Sequence, residues 1–372
     1  MKAKKLNLFL YLGTFVLVAK TVFAVSKIVP YSDFIDTVLA AIGAFCMVLS
    51  IIMQKYSLKV LLVYAMLIGI TGYNTLITGN NALAATVITC LAIRKTDLRK
   101  YIQFIFIIQA ILVMGHTTIA IIGAIFGAFD IVQNIGGIIR YDFGMLHPNS
   151  FAALVFNLTI MGVWLNWNRI KTKHVVFLAI GASILYCFCK TRTSFISMLI
   201  VIGLVFVFGV KHRFLRLSSN IAIVIIPLLT VAILLGIVLY TKESSIVLLL
   251  NRILNARISL GAYALAYYDF TLFGQNMLPL YTETTWDPFW QLNAFTFDCI
   301  YSYLLINQGI VWLILLTMLF ALLAKRNNPN DNTAIIAWAL YGVTEVQGLN
   351  CFSCMPILLL TKLFKKGEQK NG

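Results

Sequence analysis

The sequence predicts an all-α membrane protein: a polytopic helix bundle of about twelve transmembrane helices with one long extracellular loop. Composition is the first reason. Of 372 residues, 60% are hydrophobic and 11% charged, whereas a soluble domain carries about 25% charged residues. Mean hydropathy is +0.91. The second reason is that apolar runs recur near the ~20 residues a helix needs to cross the hydrocarbon core. The third is that basic residues cluster between alternate runs, as they do in cytoplasmic loops.

The runs are 6–25, 34–53, 58–77, 82–93, 102–129, 151–165, 175–189, 195–210, 220–240, 299–324, 333–350 and 351–364. The first contains Val22-Phe23-Ala24, a passable signal-peptide cleavage site, but Lys20 interrupts its apolar region. An uncleaved first helix is therefore expected. Run 82–93 is short and can be re-entrant, and the last two runs can form one hairpin. One integral membrane domain covering residues 1–372 is expected.

Charge fixes the expected orientation. With the N-terminus inside, 21 of the 29 basic residues fall in inner segments, against Asp97, Asp331 and Glu368 among the 13 acids. Run 82–93 must cross for this to hold, because Arg94-Lys95-Thr96-Asp97-Leu98-Arg99-Lys100 follows it. Both termini are expected to be cytoplasmic. The net charge of +16 is thus explained by topology, and no arginine-rich arm or zinc spacing points to nucleic acid. The seven cysteines lie in or beside apolar runs, where they read as small apolar helix residues. Cys351-x-x-Cys354 has neither a histidine nor a second pair nearby to make it a metal site.

Two outer segments stand apart. Segment 241–298 is the large extracellular loop between spans nine and ten, carrying Trp286 and Trp290, and its part 245–273 suits amphipathic helices lying on the membrane. The other runs through Arg140-Tyr141-Asp142-Phe143-Gly144-Met145-Leu146-His147-Pro148-Asn149-Ser150, a polar knot between apolar runs. Arg140, Arg192 and Arg257 lie outside, against the positive-inside bias. Arginine offers a planar fork of donors that matches phosphate oxygens. The three can converge on one anion, pair with Asp142, Asp269, Glu283 or Asp298, or snorkel to headgroups. His147 can act as a base or a donor near neutral pH, while Pro148 and Asn149 also suit an ordinary helix start. Glu345, in the eleventh run, is an intramembrane acid and so a candidate site residue. No nucleotide-binding Gly-rich loop, DxD sugar-nucleotide motif or metal cluster is present, so an ATP-driven pump or cytoplasmic glycosyltransferase is not expected.

The order of these features resembles the Wzy-type polysaccharide polymerases of the O-antigen ligase/polymerase superfamily, particularly those of Gram-positive capsule and exopolysaccharide clusters. The matching pieces are Arg140-x-x-Phe143-Gly144-x-x-His147-Pro148-Asn149, Thr191-Arg192-Thr193, Arg257-Ile258-x-Leu260, Leu272-Phe273-Gly274, Asp298-x-x-Tyr301 and Thr344-Glu345. They span about two thirds of the chain. Thr191 and Ala256 stand where the family often has serine and glycine.

The resemblance implies a GT-C-like, metal-independent glycosyltransferase without cofactors, working at the outer face of a bacterial cytoplasmic membrane. It would polymerise undecaprenyl diphosphate-linked oligosaccharide units, with flippase and chain-length regulator proteins as partners. Arg140, Arg192 and Arg257 would hold the diphosphate, His147 or Glu345 would act on the acceptor hydroxyl, and Asn149, Asp298 and Tyr301 would support the site. An O-antigen ligase-like transferase is the alternative within catalysis. A lipid-linked oligosaccharide flippase is the alternative of another class; it predicts two related halves, which the single long outer loop breaks.

Overall fold

The computed structural model describes residues 2–282 and 295–364. Most of the described chain is helical. The helices are α1 (Lys2–Phe23), α2 (Asp33–Ile52), α3 (Leu58–Thr78), α4 (Ala82–Ala92), α5 (Leu98–Ile125), α6 (Pro148–Asn166), α7 (Thr172–Cys189), α8 (Arg192–Leu204) and α9 (Leu215–Tyr240). They continue with α10 (Ser245–Ile253), α11 (Arg257–Tyr267), α12 (Leu278–Thr282), α13 (Ile300–Ser302), α14 (Ile310–Ala324) and α15 (Pro329–Tyr341). Wider π turns extend α8 over Val205–Val210 and α13 over Tyr303–Gln308.

Among the described residues, seven helical stretches are long and apolar enough to cross a membrane: Asp33–Ile52, Val60–Thr78, Leu98–Ile125, Pro148–Arg169, Thr172–Cys189, Arg192–Val210 and Leu215–Tyr240. The pair α10 and α11, bent by 112°, would make an eighth as a broken span. Leu8–Phe23, Ala82–Ala92, Ile310–Ala324 and Met355–Phe364 are shorter apolar helices. Large apolar side chains such as Leu62, Leu76, Ile111, Phe177 and Leu228 point outward. Water would not tolerate so continuous an apolar surface; lipid does. The chain is a helical membrane protein.

Helix starts follow local chemistry. The Ser32 side chain caps α2 and Asp97 caps α5, accepting from the backbone N–H groups of Arg99 and Lys100. Asn328 caps α15 ahead of Pro329 at its first position, where the missing proline N–H costs nothing.

The end of the chain departs from expectation. Run 333–350 stops being α-helical at Tyr341, and run 351–364 forms 3₁₀ turns over Met355–Phe364 rather than a long α-helix. Non-helical backbone is tolerated at membrane depth only where protein groups satisfy it, and here they do. Thr86 donates to the Leu349 carbonyl at 2.7 Å and accepts from Cys351 N–H at 3.1 Å. Gln109 and Asn157 both donate to the Phe352 carbonyl, at 3.0 and 2.9 Å, and Asn157 accepts from Met355 N–H at 2.8 Å. Polar side chains of α4, α5 and α6 thus replace the helix ladder.

The outer segments also differ from plain loops. Val132–Ile135 (β1) and Ile138–Tyr141 (β2) pair antiparallel around Gly136-Gly137, both at positive φ, the turn that suits strand twist best. In segment 241–298, α10 leaves Ile246, Leu249 and Ile253 exposed, as an interfacial helix would. By contrast, α11 is buried from Arg257 to Ala264 and packs into the bundle. Trp286, Trp290 and Glu283 lie outside the described residues. Beyond α11, Gly274 and Gly309 cross backbone to backbone. A Cβ on Gly309 would stand 2.5 Å from Gly274 N, and both have left-handed φ, 98° and 96°. Asn74 of α3 locks the crossing by donating to the Phe273 and Gln308 carbonyls, each at 2.7 Å.

The basic links gather at one end of the bundle. Arg94 Nε donates to the Phe364 carbonyl and Arg326 Nη1 to the Lys362 carbonyl, both at 2.9 Å. Arg99 donates to the Leu165 carbonyl, and Lys362 pairs with buried Asp331 at 2.6 Å. At the other end, the α1–α2 link grips the stretch before α6: Lys27 pairs with Asp142 at 2.7 Å, and Leu146 N–H donates to the Val25 carbonyl at 2.7 Å.

Candidate functional site at the bundle end opposite the basic links

The site is assembled around Arg257, the first residue of α11. Asn255 and Ala256 turn the chain through left-handed φ values of 53° and 68°. Asn251 Oδ1 holds that bend by accepting from Ile258 N–H at 3.1 Å and Ser259 N–H at 2.9 Å. The guanidinium is thereby aimed inward and buried. Its Nη1 meets Asp298 Oδ2 at 3.0 Å and the Asn255 carbonyl at 2.9 Å. Nη2 reaches the Thr344 carbonyl at 3.5 Å, and Nε is buried without a partner among the described residues.

Glu345 follows Thr344 in the link beyond α15 and is only 7% exposed. Its Oε1 accepts from the Thr193 hydroxyl at 3.2 Å. Thr193 stands beside Arg192 at the start of α8, and Arg192 itself is exposed. The starts of α8, α11 and α13 and the link after α15 therefore meet at one place.

His147 caps α6: its Nδ1 accepts the Asn149 backbone N–H at 3.1 Å. A backbone amide can only donate, so in the neutral ring the proton sits on Nε2. Burial lowers the His147 pKa below its usual 6.5, and the charge of Arg140 lowers it further, while Asp298 and Asp142 oppose both. Burial likewise raises the Asp298 carboxyl above its usual range; Arg257, a hydrogen bond from Thr296 and the charge of His147 act against that. His147 is thus electrically coupled both to Arg140 on the hairpin and to the Arg257–Asp298 pair. Arg140 is half-buried, with its Nε buried and without a partner among the described residues.

The remaining sequence candidates have structural partners. Asp142 is fully buried and taken by Lys27 and by Gly144 N–H at 2.8 Å. The Tyr301 hydroxyl donates to the Ala339 carbonyl at 2.7 Å, pinning α13 to α15. Asn149 serves the α6 start through its backbone. Among the described residues no group of three His, Cys, Asp or Glu side chains is arranged to hold a metal.

Asp298 also lines a cavity of about 660 Å³, within the size range of small-ligand sites. Its polar walls include Asn80, Asn307, Gln347, Asn350 and Ser353. Sequence reading missed these four amides and the Ser353 hydroxyl because each sits in or beside an apolar run; a polar side chain there was the available signal. It also missed the ion pair of Lys20 with Asp36 at 2.8 Å, which places Lys20 on the same cavity wall. Chemically, the site offers arginine donors for an anion, a buried carboxylate as proton acceptor and neutral amides for hydroxyl groups.

Comparison with protein-family models, with curated proteins and with solved structures found no match.

Proposed function

We propose that the chain is a glycan-chain transferase of the Wzy-type polymerase kind, working on undecaprenyl diphosphate-linked oligosaccharides at the outer membrane face. One observation carries this reading. Arg257, Asp298, Glu345, Thr193 and His147 come from five separate parts of the sequence and gather near the cavity that Asp298 lines. A membrane protein concentrates buried ionisable groups where function needs them.

The site lies at the bundle end opposite the basic links. By the positive-inside rule, that end faces outward and both termini face the cytoplasm. The four shorter apolar helices and α15 would complete twelve passes of a GT-C-like bundle.

In the proposed reaction, an acceptor hydroxyl oxygen bonds to the anomeric carbon of the donor sugar. The bond from that carbon to the diphosphate breaks, and the diphosphate leaves with the bonding pair. Arg257, Arg140 and Arg192 stabilise the charge that develops on it. Glu345 receives the hydroxyl proton. His147 contributes a hydrogen bond from Nε2 rather than acting as the base, since its Nδ1 is committed to the α6 cap.

The test is complementation of a strain lacking its polymerase, with polymer length read on a gel. Single-repeat products without long chains in Arg192→Ala and Arg257→Lys support the reading. Normal polymer in both variants overturns the diphosphate clamp.

A further inference from the structure

Helix α11 begins without a cap of its own. Ala256, the residue before it, lies at left-handed φ and has no side-chain acceptor to offer. The first amides of a helix find no partner inside it. Here Asn251 Oδ1 takes those of Ile258 and Ser259, and Asn251 Nδ2 donates to Ser259 Oγ at 3.2 Å. The cap of α11 is thus a side chain of α10, reached across a bend of 112°. The aim of Arg257 therefore depends on where α10 lies.

Little inside the bundle fixes α10. Among the described residues its main neighbours are α9 and α11, and of its own side chains only Val247 is buried. The turns that flank it carry Glu243, Asn255 and Ala256 at positive φ, a conformation that L-residues disfavour. At nine residues, α10 is also shorter than the ~12–15 at which a helix begins to hold by itself in water. Its support must come from the other face.

Ile246, Leu249, Leu250 and Ile253 follow the i, i+3, i+4, i+7 spacing of a single helix face, and all four are exposed. Val247 and Asn251, four residues apart, share the opposite side. The apolar face continues the lipid-facing belt of α9, where Leu228, Val231, Leu235 and Val238 are exposed too. Only residues 241–244 separate the two helices. Exposed Arg252 can lay its stem on the apolar surface and keep its charge among headgroups. Acyl chains are the occupant that this continuity favours.

We propose that α10 is a lipid-seated brace for the site. Acyl chains of the leaflet at this end hold its apolar face, and Asn251 on the opposite side thereby keeps Arg257 aimed inward. The effect of the brace on polymer formation rests on the transferase reading; the brace itself does not.

Hydrogen exchange tests this on the full-length protein, one copy per nanodisc of phosphatidylethanolamine and phosphatidylglycerol, read at the Ile258 and Ser259 amides. Wild type should protect both. Asn251→Ala should speed their exchange at least tenfold, whereas Asn251→Asp, which keeps an acceptor, should not. Ile246→Gln combined with Leu249→Gln alters no buried group, yet should speed the same two amides at least tenfold while α5 stays protected. Leu249→Met should match wild type. Ile253→Gln alone, a milder change, keeps the test decisive if the double variant does not fold. Unchanged exchange in both glutamine variants overturns the brace. Fast exchange in single-copy wild type assigns the face to a second copy or another protein, and overturns it equally. In the complementation test the glutamine variants should shorten the polymer; a wild-type chain that makes no polymer fails the transferase reading alone.

Discussion

Arg257 and Asp298 meet at 3.0 Å across the large outer segment, one at the head of α11 and the other just before α13. The pair joins a buried guanidinium to the cavity wall. Only the guanidinium is buried, at 7% exposed against 31% for Asp298, so losing it costs less than the about 3–5 kcal/mol of breaking a fully buried pair. Arg257→Ala should therefore unfold at a modestly lower temperature in detergent. Arg257→Lys keeps the charge but loses the fork, and each charged hydrogen bond lost is worth about 1.5–3 kcal/mol. Polymer formation should then fall roughly ten- to hundredfold per bond, with the fold retained by size-exclusion chromatography.

His147 separates a cap from a chemical role. Serine is a strong N-cap residue, whereas alanine there costs about 0.5–2 kcal/mol. His147→Ser should keep the wild-type unfolding temperature and lose the Nε2 donor, so polymer falls while stability holds. His147→Ala should lose both. Equal polymer in His147→Ser and wild type would remove the histidine from the site.

Acid should act through the same ring. Burial and Arg140 hold the His147 pKa below 6.5, so the folded protein takes up that proton less readily than the unfolded chain. Stability from this group is complete above the unfolded value and is lost as pH falls through the folded one. Asp298, raised by burial, contributes with the opposite sign. The check is a difference: between pH 7 and pH 5, wild type should lose more thermal stability than His147→Ser.

The Gly274–Gly309 crossing leaves no room for a side chain. Gly309→Ala combines left-handed strain of about 1–3 kcal/mol with overpacking of about 1–3 kcal/mol, because its Cβ would meet Gly274 N at 2.5 Å. It should aggregate on extraction, while alanine at Gly181, which meets nothing within 4 Å, should behave as wild type.

At the opposite end, Asp331 is 2% exposed and held by Lys362 and by Trp164 Nε1 at 2.9 Å. Lys362→Ala leaves that carboxylate buried without its cation. Loss of about 3–5 kcal/mol is expected, seen as a lower unfolding temperature and faster proteolysis of the C-terminal turns.

Much of this architecture was legible in the sequence because lipid makes unusual demands. Apolar length marks spans, and Pro148 with Asn149 marks a helix start, since local chemistry decides both. What escaped notice depends on distant partners. Nothing local to residues 351–364 says that Gln109 and Asn157 will satisfy their backbone and release them from helix. The burial of α11 depends on α9 and α13, not on its own periodicity. Of the site, the arginines and Glu345 were legible as charges in apolar surroundings. The Nδ1 commitment of His147 and the pairing of Lys27 with Asp142 were not. The hairpin was readable in principle from Gly136-Gly137 between apolar residues.

That hairpin offers a practical handle. Among the described residues, no neighbouring side chain or backbone comes within 4 Å of where a Cβ would stand on Gly136 or Gly137, so the tip can carry foreign sequence without crowding β1 or β2, which holds Arg140. A short epitope inserted between the two glycines would report sidedness in intact cells. Antibody binding without permeabilisation would fix the map of the whole chain from a single insertion.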